Sequence, residues 1–408
     1  MSNLLINKQV REQKLLNWLS VGLLVFISAF IWAPSRDGLE GIYALTFFIP
    51  MVLLFISRLS SVSWRTLSLV EFGGTFTLLA LLYGGYGALT SIWSTTHHTA
   101  FFSLQWCVLA TWLCGSSWVA YHQRLDIATL LRLLIWMAAA SSLLNLFWFY
   151  ASHEPLERLE GITVNRNSNN IGSVFGIVTL LAYIAWLQAK GRTESFIAFG
   201  LLAVIGLSLL ASQSRANFLA LALLVPVACY WAKPSAAKLW LQLGLIAGAL
   251  VLFALFPLVT EGVLLERGAS LRDSIWSEVW QSIQSGSMLL GTGLEKEGRI
   301  VIGDLGVFNH AHNAWLDTWY RTGLVGLLLS VAYLAYVYRS LFVGRGVFRS
   351  PELFPLYLWL TYGCIYCFFD ARGFFWQLDP KWFCMWVPAG LIAAVVTRTS
   401  IRTTHSGR

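Results

Sequence analysis

Residues 7–35 read NKQVREQKLLNWLSVGLLVFISAFIWAPS: a basic flank, then a long apolar run ending at Pro34. A basic flank before an apolar core is how a secretory signal begins. This core is long for a cleaved signal, however, and further runs follow it, so it reads as a retained first membrane helix. Such runs recur to the end of the 408-residue chain, which is 57% hydrophobic and has a mean hydropathy of +0.65. Each is long enough to cross roughly 30 Å of hydrocarbon. The 20 tryptophans suit a chain that crosses membrane interfaces many times. The expected fold is an all-α polytopic membrane protein forming one integral membrane domain over residues 1–408.

Twelve spans are expected, over 17–33, 41–57, 74–92, 101–121, 127–150, 169–188, 195–211, 216–232, 239–257, 314–338, 354–369 and 382–397. With a cytoplasmic N-terminus, every inside segment is basic, from Lys8, Arg11 and Lys14 through to Arg398, Arg402 and Arg408. The loop at 93–100 on the other side has no Lys or Arg. That asymmetry follows the positive-inside rule and places both termini in the cytoplasm. The net charge of +8 is then a topology signal and implies no nucleic-acid partner.

Residues 258–313 form a large outer loop between the ninth and tenth spans, too long for a plain connector. Within it, SLRDSIWSEVWQSIQS (270–285) spaces Ile275, Trp276, Val279, Trp280 and Ile283 as one face of a helix. An amphipathic helix lying on the membrane surface over the bundle is expected there. No internal repeat is visible.

The six cysteines lie inside apolar runs, and Cys364 and Cys367, although spaced C-x-x-C, lack a second ligand pair nearby. They read as buried thiols. Glu295 and Glu297 read as a solvated turn.

Three polar clusters open helices on the outer side: GITVNRNSNNIG (161–172), SQSRANFLALA (212–222) and FNHAHNAWLDTWYRTGLVG (308–326). Helix N-termini present unpaired N–H groups and the positive end of the dipole, so they favour anions. Arg166, Arg215 and Arg272 stand near three such starts, and the guanidinium fork suits phosphate oxygens. Against this, an Arg at a membrane boundary is commonly an anchor to headgroups. Arg215 fits that bland role least, since it lies on the outer side directly between two apolar runs. His310 and His312 lack the companions of a familiar metal motif, so proton transfer is their expected chemistry. Asp317 and Arg321, four apart, are expected to pair.

The third cluster resembles the motif of bacterial O-antigen ligases: His312, Asn313, nine residues, Gly323, two residues, Gly326. Arg215 and Leu219 match a second motif of the same family, Arg, three residues, Leu. The resemblance implies a glycosyltransferase-C-like helical fold. It implies transfer of a finished glycan from an undecaprenyl-diphosphate-linked donor to a sugar hydroxyl of a lipid A-core acceptor, on the periplasmic face of the inner membrane. No nucleotide sugar, cofactor or metal is implied. His312 is then the general base, and Arg215 and Arg272 neutralise the leaving diphosphate. Arg166, Asn313 and His310 complete the expected substrate-binding set, His310 as support for His312. Gly323 and Gly326 are expected to allow close helix packing. An O-antigen polymerase or a protein O-oligosaccharyltransferase would share these residues. A transporter of lipid-linked glycan would instead be expected to place charges near mid-bilayer.

Overall fold

The computed structural model describes residues 2–59, 69–122, 124–155, 157–244, 272–286, 288–296, 300–302, 306–343 and 350–406. Helix α1 (Ser2–Trp32) stops before Pro34. Ser35 then caps α2 (Arg36–Tyr43), its hydroxyl accepting the Gly38 N–H, and α2 runs through one π-helical turn (Ala44–Phe48) into α3 (Ile49–Leu59). Next come α4 (Gly74–Thr90), α5 (Thr99–Tyr121), α6 (Ile127–Tyr150), α7 (Ser168–Gln188), α8 (Arg192–Ser212) and α9 (Arg215–Ala232). After a helical piece at 236–244 and the undescribed segment follow α10 (Arg272–Ser285), strands β1 (Ile300–Ile302) and β2 (Gly306–Phe308), and α11 (Ala314–Val343). The chain closes with α12 (Leu353–Phe369), α13 (Pro380–Cys384) and α14 (Trp386–Ser406).

Among the described residues, eight helices are long and apolar enough to cross a membrane. Helical residues fall in all twelve expected segments, although the ninth, 239–257, lies outside the described residues beyond 244. Helix α7 is apolar on all sides and buried almost throughout, which marks the centre of the bundle. Peripheral helices keep Phe147, Trp148, Phe196 and Leu207 exposed, as a lipid-facing surface requires.

Aromatic side chains lock the centre. Trp112, Trp359 and Trp386 donate indole N–H groups to the carbonyls of Trp386, Phe383 and Phe374, at 2.7, 2.7 and 2.8 Å. A buried indole without an acceptor would cost on the order of 1–3 kcal/mol, so these bonds fix which residues face inward. At one end, Arg398 bonds the Leu125 carbonyl and pairs with Glu352, while Lys238 caps the carbonyls of Trp186, Leu187 and Ala189. The other end carries the polar loops.

Four expectations are corrected. The outer loop is not purely helical: Ile300↔Phe308, Val301↔Val307 and Ile302↔Gly306 pair as an antiparallel hairpin, consistent with the β-branched run Ile-Val-Ile. Helix α10 does not turn its apolar face to lipid. Ile275, Val279 and Ile283 are buried against Ile300, Ala311, Leu316 and Trp319, so the hairpin and α11 supply the cover.

Gly323 does not serve helix packing. It breaks α11, with φ 66° and ψ −175°, and a Cβ there would stand 2.1 Å from the Leu289 carbonyl oxygen. The freed backbone groups are satisfied by the outer loop. Thr292 and Gly293 donate to the carbonyls of Tyr320 and Arg321, and Leu324 and Val325 donate to those of Met288 and Leu289. Irregular backbone is tolerated in a membrane protein only where such partners exist. Finally, Glu295 is not merely solvated: it accepts the Thr95 N–H at 3.0 Å and the Thr95 hydroxyl, anchoring the same loop to the α4–α5 connection. Glu297 lies outside the described residues.

Candidate active site

The polar loops converge on a cavity of about 310 Å³. Its wall includes Arg36 at the start of α2, Arg166 and Asn170 at the start of α7, His310 before α11, and Arg372, Asp379 and Lys381 between α12 and α14. Four cationic side chains against one carboxylate make this an anion site. Local structure explains how the segments meet. Val164 donates to the Ala33 carbonyl and Asn165 Nδ2 to that of Phe30, which holds the Arg166 loop against the end of α1. Asn167 caps α7 through the Asn169 N–H, and Asp379 caps α13 through the Lys381 N–H.

The two histidines precede α11, with ring centres 4.0 Å apart and planes tilted by 50°. Asn313 is the cap of that helix, its Oδ1 accepting the N–H groups of Trp315 (3.0 Å) and Leu316 (3.1 Å). It is buried and stands off the cavity wall, with its oxygen capping the helix. His312 adopts φ 52°, a left-handed conformation costly for a side chain bearing a Cβ. That turn lets both imidazoles face the same region.

Hydrogen bonding makes the histidines chemically distinct. His312 Nδ1 lies 2.8 Å from Asp370 Oδ1, and the other carboxylate oxygen accepts from the Tyr366 hydroxyl at 3.2 Å. Burial alone would raise the Asp370 carboxyl. The His312 hydrogen bond and the nearby Lys381 charge outweigh it and hold the group ionised, below the usual carboxylate range. A carboxylate only accepts, so His312 Nδ1 carries the hydrogen of this bond. Its side chain is 31% exposed.

His310 has the opposite arrangement. Its Nδ1 lies 3.0 Å from the His312 backbone N–H, which can only donate. Burial, then the positive charge of Lys381, push the His310 pKa well below the usual imidazole value, so it is neutral with its proton on Nε2. One histidine hydrogen-bonds a carboxylate, and the other is an uncharged donor on the cavity wall.

The sequence-derived set is partly gathered here. Arg166 and His310 line the cavity, and His312 adjoins it through His310. Arg215 opens α9 with its side chain exposed, and Arg272 opens α10 half-buried; neither is on the cavity wall. Asp370 and Arg372 stand at no helix start, and Arg36 and Lys381 open α2 and α13, two starts absent from the sequence-derived set. The signal for three of them was DARGFFWQLDPK (370–381), four charges set among aromatic residues just after an apolar run.

His310, His312 and Asp370 also place three potential metal-ligand atoms within 4.8 Å of one another. Asp370 is the further ligand that the two histidines lacked in the sequence. Yet His312 is bonded to Asp370, the His312 amide occupies one His310 nitrogen, and Arg372 and Lys381 flank the group. These surroundings suit an anion better than a divalent cation.

Residues 196–331, which contain Arg215, Arg272 and both histidines, match the family described as O-Antigen ligase. Over 393 residues the chain is 27% identical to an O-antigen ligase of Pseudomonas aeruginosa, covering 92% of this chain and 90% of that protein. The resemblance carried by the His312–Gly326 and Arg215–Leu219 motifs is borne out.

Proposed function

We propose that this protein is an O-antigen ligase of the bacterial inner membrane, with the cavity on the periplasmic face. The observation that carries the reading is the His312–Asp370 pair beside a cavity lined by Arg36, Arg166, Arg372 and Lys381. The diphosphate of an undecaprenyl-linked glycan sits against those cations, where charge-assisted bonds are strongest. Arg215 and Arg272 stand outside this wall and are assigned the approach of the donor rather than its seat.

The acceptor is a hydroxyl of the lipid A-core outer sugar. His312 Nε2 takes its proton while the acceptor oxygen bonds the anomeric carbon. The bond from that carbon to the diphosphate oxygen breaks, and undecaprenyl diphosphate leaves with the electron pair. Asp370 stabilises the imidazolium that forms, as a carboxylate does for a catalytic histidine elsewhere. The His310 Nε2–H supports the leaving oxygens without adding charge. Cations already in place stabilise charge where it develops, the most effective form of such assistance. Attack opposite the leaving group inverts the anomeric centre.

Deletion of the gene tests the reading. Loss of a ligase leaves core lipopolysaccharide bare while long lipid-linked polymer accumulates. Single repeats attached to core would instead identify a polymerase and overturn the proposal.

A further inference from the structure

Asp317 and Arg321 lie within the first turns of α11, beneath both loops that carry the reactive side chains. Asp317 is fully enclosed and Arg321 is 2% exposed. A buried ion pair is weak support for stability, because desolvation consumes most of the attraction. The other contacts of this carboxylate say more. Oδ1 accepts the Ala311 N–H at 3.1 Å, between the two histidines. Oδ2 accepts the Gly373 N–H at 2.9 Å and Arg321 Nε at 3.0 Å. Arg321 extends the tie, donating Nη2 to the Asn309 carbonyl at 3.1 Å.

One carboxylate therefore fastens the backbone before His312 to the backbone three residues past Asp370. Thr318 adds a parallel stitch, its hydroxyl accepting the Phe374 N–H at 3.3 Å. Both guanidiniums, Arg321 and the cavity-lining Arg372, lie over the Trp376 ring, 5.5 and 4.9 Å from its centre. The left-handed turn at His312 persists only where its neighbours over-determine it, and the Ala311 bond is one of the bonds that do so.

We propose that Asp317 is a positioning residue. It sets the 2.8 Å spacing of His312 and Asp370, with Arg321 as its charge partner. The proposal rests on His312 being the base.

The test uses the full-length protein in lipid nanodiscs, with an undecaprenyl-diphosphate glycan and lipid A-core. The paired variant Asp317→Asn/Arg321→Gln keeps the charge balance but gives the two amides a poorer acceptor and removes the Arg321 bond to the Asn309 carbonyl. Misplacing reacting groups by about an ångström costs on the order of a hundredfold in rate. The paired variant should therefore unfold near the native temperature and bind donor within about threefold, yet lose roughly 10- to 100-fold in kcat, an order-of-magnitude range set by the same misplacement. Asp317→Glu is the second variant. It keeps the buried charges paired but shifts the carboxylate by one methylene, and its kcat should fall with donor Kd held. Native kcat in whichever variant folds would overturn the proposal, as would a loss confined to KM. Neutralising the remote pair, Glu352→Gln/Arg398→Gln, controls for the loss of an ion pair and should leave kcat unchanged. Failure of the underlying reading is seen separately, as transfer by native protein that His312→Ala does not reduce.

Discussion

Replacing Asp370 by asparagine keeps the shape of the side chain and removes its charge from His312. The 2.8 Å contact is a charge-assisted hydrogen bond, and the transition state strengthens it by placing a proton on the imidazole. Such bonds contribute roughly 1.5–3 kcal/mol, and each 1.4 kcal/mol is about tenfold in rate. The expected loss in kcat is therefore about 10- to 150-fold. It should fall toward the lower end, because a carboxamide oxygen still accepts one neutral bond from Nδ1. Asp370 is not on the cavity wall, so donor KM should stay within about threefold. The assay is initial-rate transfer by purified protein in nanodiscs, with donor and acceptor varied separately. Acid titration adds an independent readout. The folded carboxyl is held below its unfolded value near pH 4, so its stabilisation is complete above that pH and is lost as the pH falls. Asp370→Asn should remove that part of the acid sensitivity. A variant with native kcat, or one whose loss appears only in donor KM, would refute the pairing argument.

Arg372→Gln and Lys381→Met should each raise donor Kd by roughly tenfold or more, from the loss of a charge-assisted contact; equilibrium binding of labelled donor at several salt concentrations checks this, and salt-independent native affinity would contradict it. His310→Asn retains an acceptor where Nδ1 stands but loses the cavity donor, so donor binding should weaken about three- to tenfold. His310→Gln should do the reverse, keeping a donor near Nε2 while freeing the His312 amide, and the loss should then appear in kcat. Gly323→Ala combines a disfavoured backbone with a Cβ 2.1 Å from the Leu289 oxygen, for a cost of roughly 2–5 kcal/mol; thermal unfolding in detergent should show a clearly lowered midpoint. Chelation with EDTA should leave transfer unchanged, and restoration of lost activity by a divalent cation would assign the His310–His312–Asp370 cluster to a metal.

The bundle was legible because its signal is local. Runs of apolar residues bounded by Pro34, Asp126 or Asn167 become helices with little help from distant contacts. The same locality picked out His312 and Arg166, since a helix start is visible in a short window. It failed where function depends on which helix ends share a corner. Asp370 lies 58 residues beyond His312, and Arg36 lies near the opposite end of the chain from Lys381; only the packed bundle puts such residues together. Gly323 misled for a related reason. A glycine inside a helical pattern suits either close packing or a break, and the choice was made by Leu289 and Met288 of a loop whose position no local pattern reveals. The face of α10 misled likewise, for an apolar stripe does not say whether lipid or protein covers it.

The most direct test of the whole account is transfer of a labelled glycan from undecaprenyl diphosphate to lipid A-core by the purified protein and by its His312→Ala variant. The account predicts lipid A-core bearing the label with the native protein, and a loss of at least about a hundredfold in kcat when the general base is removed, with donor still bound. Equal transfer by the two proteins, or native protein that binds donor and never labels the core, would contradict it.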